Sequence, residues 1–118
     1  MTNTTTRAEA LAELIARVEA GEASTMSFED AGFDGWAELA YHGSLDAAKA
    51  LHEAVLPGWS WTMDQTGKDM KAHCQIWWLH RGRRSKSYVG QTLANPCPAR
   101  AWLLAILRAL AQQEGEKG

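Results

Sequence analysis

At 118 residues, with 46% apolar content and a formal charge of −2, the chain has the size and composition of one compact domain, residues 1–118. No run approaches the ~18 consecutive apolar residues of a membrane span. Met1–Thr6 is polar and uncharged, unlike a secretory leader, and residues 1–5 and 113–118 are expected to be frayed tails. Cys74 and Cys97 fall in different predicted elements, with no CxxC and no histidine at metal-ligand spacing, so two free thiols in a reducing cytosol are expected rather than a disulfide. The small net charge hides an asymmetry. Residues 1–56 carry ten acids against three bases, giving −7, whereas residues 57–118 carry four acids against nine bases, giving +5. A charge dipole of this kind suits self-association or an oriented partner.

Taken in order, Thr6–Ala20 reads as a helix with a stripe of Leu11, Leu14, Ile15 and Val18, stopped at Gly21. In residues 22–43, aromatic residues are scattered among acids and glycines. A short helix is expected at about Asp34–Ala40, with Phe28, Phe33, Trp36, Leu39 and Tyr41 pinning the connection to the core. The stretch Ser44–Trp61 organises the chain. Ser44 is an N-cap, Asp46 complements the dipole, and Leu45, Ala48, Leu51, His52 and Val55 share one helical face. Pro57-Gly58 ends that helix, and alternation begins at Trp59.

Three strands are then predicted: about Ser60–Asp64, Lys71–His80 and Ser85–Thr92. They are joined by turns at Gln65-Thr66-Gly67-Lys68 and Arg81-Gly82-Arg83-Arg84. In the middle strand Ala72, Cys74, Ile76 and Trp78 share one face, while His73, Gln75, Trp77 and Leu79 share the other. Asn95-Pro96-Cys97-Pro98 launches a last helix with Pro98 at its first position and Leu103, Ile106, Leu107 and Leu110 as its stripe, extended by Ala99 and Trp102. The fold expected is an α/β helix–sheet–helix sandwich around an antiparallel meander of at least three strands, in the order α-(α)-α-β-β-β-α. Its core should contain Leu14, Val18, Leu45, Leu51, Val55, Trp59, Trp61, Ile76, Trp78, Leu103, Ile106, Leu107 and Leu110.

The segments Ser44-Leu45-Asp46-Ala47-Ala48, Leu56-Pro57-Gly58-Trp59 and Pro98–Ala109 resemble small bacteriophage and prophage proteins of the phage ABA-sandwich domain family. The likeness spans roughly residues 40–112 and rests on caps, a helix stop and core positions. It departs at Cys97, where a threonine cap is expected before the Pro-Ala of the last helix. The resemblance implies a helix–sheet–helix layering and a phage origin, with the infected bacterial cytoplasm as the place of action. It implies no catalytic residue.

The residues themselves offer no reaction. Histidines at 42, 52, 73 and 80 form no HExxH and no nucleophile–base pairing, and His52, on an apolar helix face, reads as a hydrogen-bonded core residue. No enzyme, no metal, no cofactor and no membrane contact are expected. The strongest binding signal is the second hairpin, where His80, Arg81, Arg83, Arg84 and Lys86 lie beside Trp77, Trp78 and Tyr88; of the adjacent Trp77 and Trp78, on opposite faces, one can face any single ligand, and Trp77 is taken with Tyr88. Arginine forks clamp phosphates or carboxylates, and aromatic faces stack on bases. The function expected is a non-enzymatic accessory protein that binds a component of host antiviral defence, with a signalling nucleotide at this hairpin or a host protein on a charged face. The alternatives are a nucleic-acid-binding accessory protein, disfavoured by the acidic half, a protein–protein inhibitor with no small ligand, or a structural or assembly protein of the virion. A homo-oligomer is expected, because a three-strand sheet leaves edges.

Overall fold

A computed structural model describes residues 7–33, 35–66, 71–84, 87–92 and 97–117. It is a mixed α/β fold in the expected order. Among the described residues, four helices, α1 (Arg7–Ala20), α2 (Thr25–Asp30), α3 (Gly35–Tyr41) and α4 (Leu45–Val55), precede five strands, and α5 (Pro98–Lys117) follows them. The strands are β1 (Ser60–Thr66), β2 (Lys71–Trp77), β3 (Leu79–His80), β4 (Arg83–Arg84) and β5 (Tyr88–Thr92). β1, β2 and β5 make an antiparallel three-stranded sheet with β2 in the centre, and β3 and β4 form a separate small hairpin.

Local chemistry explains the helix ends. At Gly21, with φ at +76°, the chain turns so that Gly21 N–H reaches the Val18 carbonyl and Glu22 N–H the Arg17 carbonyl, a Schellman stop. The Ser44 hydroxyl accepts from Ala47 N–H and starts α4 as expected. Ser24 and Ser27 form a reciprocal capping box that starts α2, a helix not anticipated from the sequence because the usual Glu or Gln is replaced by serine. The expected Thr6 start, the tail 1–5 and the turn residues 67–68 lie outside the described residues, and Gln65 and Thr66 continue β1. α5 runs on to Lys117, and Glu114 pairs with Arg7 at 3.4 Å, tying that last turn to the start of α1.

α5 lies in the middle of the molecule. Seven successive residues, Ala101–Leu107, are buried, so the helix is covered on every side. Its alanine face, Ala101 and Ala105, meets the sheet at Gly90. There the helix backbone comes so close that a Cβ on Gly90 would lie 1.9 Å from the Ala101 carbonyl oxygen. Leu103, Ile106, Leu107 and Leu110 are buried as predicted, each burial contributing roughly 1.5–3 kcal/mol. α1 contributes Leu11, Leu14 and Val18 to the core, and α3 contributes Ala37, Ala40 and Tyr41. Arg100 clasps α3 from α5, donating from Nε to the Tyr41 carbonyl (3.1 Å) with its guanidinium 4.2 Å above the Tyr41 ring.

His52 joins three elements. It is 3% exposed and accepts from Trp102 Nε1 at Nδ1 (3.1 Å), while its Nε2 lies 3.0 Å from the Trp59 carbonyl. The indole can only donate and the carbonyl can only accept, so the ring is the Nε2–H tautomer with both nitrogens satisfied. The turn between α4 and β1 is thereby fastened to α5, and the expectation of a hydrogen-bonded core histidine holds.

Three expected core residues are exposed instead. Leu45 is 48% exposed, because it is the first residue of α4 and lies at the margin of a buried stripe made by Ala47, Ala48, Leu51 and His52. Trp61 is 42% exposed. One side of its ring packs on Trp102 (centroids 4.2 Å apart), but β1 is a sheet edge and leaves the other side open. Trp78 is 41% exposed because β2 ends at Trp77 and the alternation that would have turned Trp78 inward stops there. Val55 and Trp59 are half-buried against the core. Of the aromatic-rich connection, Phe28, Phe33 and Tyr41 are buried, whereas Trp36 and Leu39 face outward on α3.

Candidate functional site

The basic segment forms a hairpin that projects past the end of the sheet. The ladder of β2 and β5 ends at the pair Ile76↔Tyr88, and the β3–β4 ladder resumes at Leu79↔Arg84 and His80↔Arg83. Two residues separate these pairs on one strand and three on the other, so the register shifts by one. A shift of this kind bends and twists a ribbon away from its parent sheet. The sequence-level turn Arg81–Arg84 is corrected to a two-residue turn, Arg81-Gly82, with Arg83 and Arg84 paired in β4. Both turn residues have positive φ, +51° at Arg81 and +76° at Gly82, as a tight hairpin of type I′ sense requires. Gly82 adopts this freely, but for an arginine the left-handed region costs about 1 kcal/mol.

The predicted site residues are only partly brought together. Arg81 and Arg83 are exposed at the tip, and Trp77 and Tyr88 belong to the sheet below it. Trp77 is opposite Ser60, on the sheet face away from α5. Tyr88 is opposite Ile76, on the α5 face, where it is half-buried with its ring 5.9 Å from that of Trp59. The sheet therefore stands between these two aromatic residues, and they do not flank one ligand. For His80 and Arg84 the backbone register is described; Lys86 lies outside the described residues.

The hairpin base carries Trp78, which the sequence places beside the basic turn, together with Leu79, which it does not single out. Trp78 and Leu79, 41% and 57% exposed, lie at the base of the hairpin, and exposed Trp61 is on β1, next to the Ser60↔Trp77 pair that ends the sheet. The signal was the run Trp77-Trp78-Leu79, which breaks strict alternation and so cannot hide all three side chains in one half-covered sheet. This end of the molecule carries exposed indoles and a leucine side chain at the hairpin base and exposed guanidinium groups towards its tip. Such a surface can desolvate apolar groups of a partner and pair with its carboxylates or phosphates.

Other features lie apart from the hairpin. A cleft of about 420 Å³ between α1 and α2 is lined by Glu13, Arg17, Ser24, Ser27 and Asp30 among others, and Glu13 and Arg17 pair across 3.0 Å within it. Among the described residues, no three His, Cys, Asp or Glu side chains are arranged to hold a metal ion. Neither Cys74 nor Cys97 forms a disulfide. Burial pushes the Cys74 thiol up from 9.0 to about 12. The folded protein therefore holds the proton where the unfolded chain loses it, so Cys74 lowers stability as pH rises from about 9 towards 12. Thiol-reagent titration at pH 8 should label Cys97 first, with Cys74 labelled only on unfolding. Equal rates for the two would contradict the buried position of Cys74.

Comparison with known proteins found no family model, no curated protein and no solved structure that matches this chain.

Proposed function

We propose that the protein is a non-enzymatic binding protein that engages an acidic protein surface with its aromatic-basic hairpin. The observation that carries this reading is the exposure of Leu79, Arg81 and Arg83 on one projecting hairpin, with exposed Trp78 directly before it. Trp and Arg are the residues that most often dominate protein interfaces, and an exposed leucine adds area that a purely phosphate-binding surface does not need. The backbone of Arg81 adds support. Its position would cost less with glycine, so the guanidinium is favoured there for something other than folding. The open tip and the opposite facing of Trp77 and Tyr88 disfavour an enclosed nucleotide site. The narrower reading, that the acidic partner is a bacterial defence protein countered by a phage accessory protein, rests on the sequence resemblance.

The test is affinity capture from a bacterial lysate with quantitative mass spectrometry, comparing the wild type with Arg81→Glu/Arg83→Glu. One acidic protein enriched by the wild type and reduced at least about ten-fold by charge reversal is the expected result. An enriched set unaffected by the reversal would remove the hairpin from the account. Native mass spectra with a panel of mono-, di- and cyclic nucleotides form the second arm, and a nucleotide adduct lost in the variant would replace the protein partner with a small ligand.

A further inference from the structure

β1 and β5 are the two edges of the sheet, and the fold treats them differently. β5 is guarded: Gly90 abuts the α5 backbone, Arg108 Nη1 donates to the Val89 carbonyl, and Arg108 Nη2 lies 3.1 Å from Glu19 of α1. A side chain thus occupies a backbone acceptor of β5, one of the ways an edge is closed to strand addition.

In an antiparallel ladder, residues alternately direct both backbone groups to one neighbour and then to the other. Val89 is opposite Gln75, and Gln75 is opposite Thr62. With Val89 turned outward to Arg108, Gln75 turns towards β1 and Thr62 towards β2, which leaves Trp61 and Met63 with N–H and C=O directed out of the sheet. Among the described residues, no strand and no side-chain hydrogen bond reaches these groups. The exposed side of the Trp61 ring lies at the same edge.

We infer that β1 pairs antiparallel with β1 of a second copy, joining two sheets into one of six strands about a two-fold axis at Met63. The strand suits itself as a partner. Centred on Met63, all seven residues are paired: Ser60 with Thr66, Trp61 with Gln65, Thr62 with Asp64, and Met63 with its own copy. The only charge on the strand, Asp64, falls opposite a threonine, so no like charges meet directly. The two-fold makes the contact isologous and closed, and it ends growth of the sheet because β5 is guarded at both outer edges. This inference does not depend on what the hairpin binds.

Light scattering and native mass spectrometry of the full chain, from about 1 to about 100 µM, should show a species of twice 13.0 kDa. Met63→Lys sets two ammonium groups opposite each other and should weaken the dimer at least about ten-fold with its circular dichroism unchanged. Met63→Cys should give a disulfide-linked dimer on mild oxidation, with the wild type oxidised in parallel as the control, because opposed residues in a ladder lie about 5.5 Å apart. A wild-type monomer throughout that range overturns the inference. So does a dimer that survives Met63→Lys and is not cross-linked through Met63→Cys.

Discussion

Gly90→Ala is expected to leave little folded protein. The new methyl group would lie 1.9 Å from the Ala101 carbonyl oxygen, 2.7 Å from the Ala105 nitrogen and 2.9 Å from the Ala101 carbonyl carbon. All three atoms are backbone, so no side-chain rotation relieves the clash. Either α5 moves off the sheet or β5 leaves the ladder, and both changes open the core around Cys74, Ile76 and Leu104. Overpacking usually costs 1–3 kcal/mol, and this site should cost about 3 kcal/mol or more. Denaturant unfolding monitored by tryptophan fluorescence checks the size of the effect. The second part of the test is rescue: Ala101→Gly should not restore stability, because it leaves the carbonyl in place. A Gly90→Ala protein within about 1 kcal/mol of the wild type would mean that α5 and the sheet are farther apart than described.

His52→Ala is the second large effect. The substitution removes a 3% exposed ring, leaves a cavity between α4 and α5, and strips Trp102 Nε1 and the Trp59 carbonyl of their partner. Cavity and unsatisfied-donor costs together predict a loss of about 3 kcal/mol. A double-mutant cycle separates the two terms. Trp102→Phe removes the donor, so His52→Ala should cost less in that background, by about 1 kcal/mol or more. Nitrogen chemical shifts provide an independent check, with Nε2 protonated and Nδ1 bare. The opposite tautomer, or strict additivity in the cycle, would contradict the hydrogen bonds assigned to this ring.

The limits of the sequence are as physical as its successes. α1, α4 and the start of α5 are legible because Gly21, Ser44, Pro57-Gly58 and Pro98 punctuate stripes of period 3.6. The three-stranded antiparallel sheet follows from alternation and short turns. What is not legible depends on contacts distant in the chain. Ala101 and Ala105 look neutral in a helix that already has a leucine stripe, yet their small size admits the sheet at Gly90 and makes α5 the buried centre. Alternation continued through residue 80 would bury Trp78; the one-residue register shift ends it. In the candidate site, the cationic turn could be read directly from Arg81–Arg84. The separation of Trp77 from Tyr88 could not, because it depends on which residues of β1 and β5 stand opposite β2. Trp61 and Leu79 read from the sequence only as core or strand residues, and Trp78 as both a core residue and a neighbour of the basic turn; the exposure of Trp78 and Leu79 gives the surface its apolar part.

The projecting hairpin, rather than the acidic helices or the cleft between α1 and α2, is the contact surface we propose. Hydrogen exchange on the protein alone and in complex with its captured acidic partner tests this most directly. Slowed exchange is expected at residues 77–84, with α1 and α2 unchanged. Protection confined to α1 and α2, with the hairpin exchanging as it does in the free protein, would contradict it.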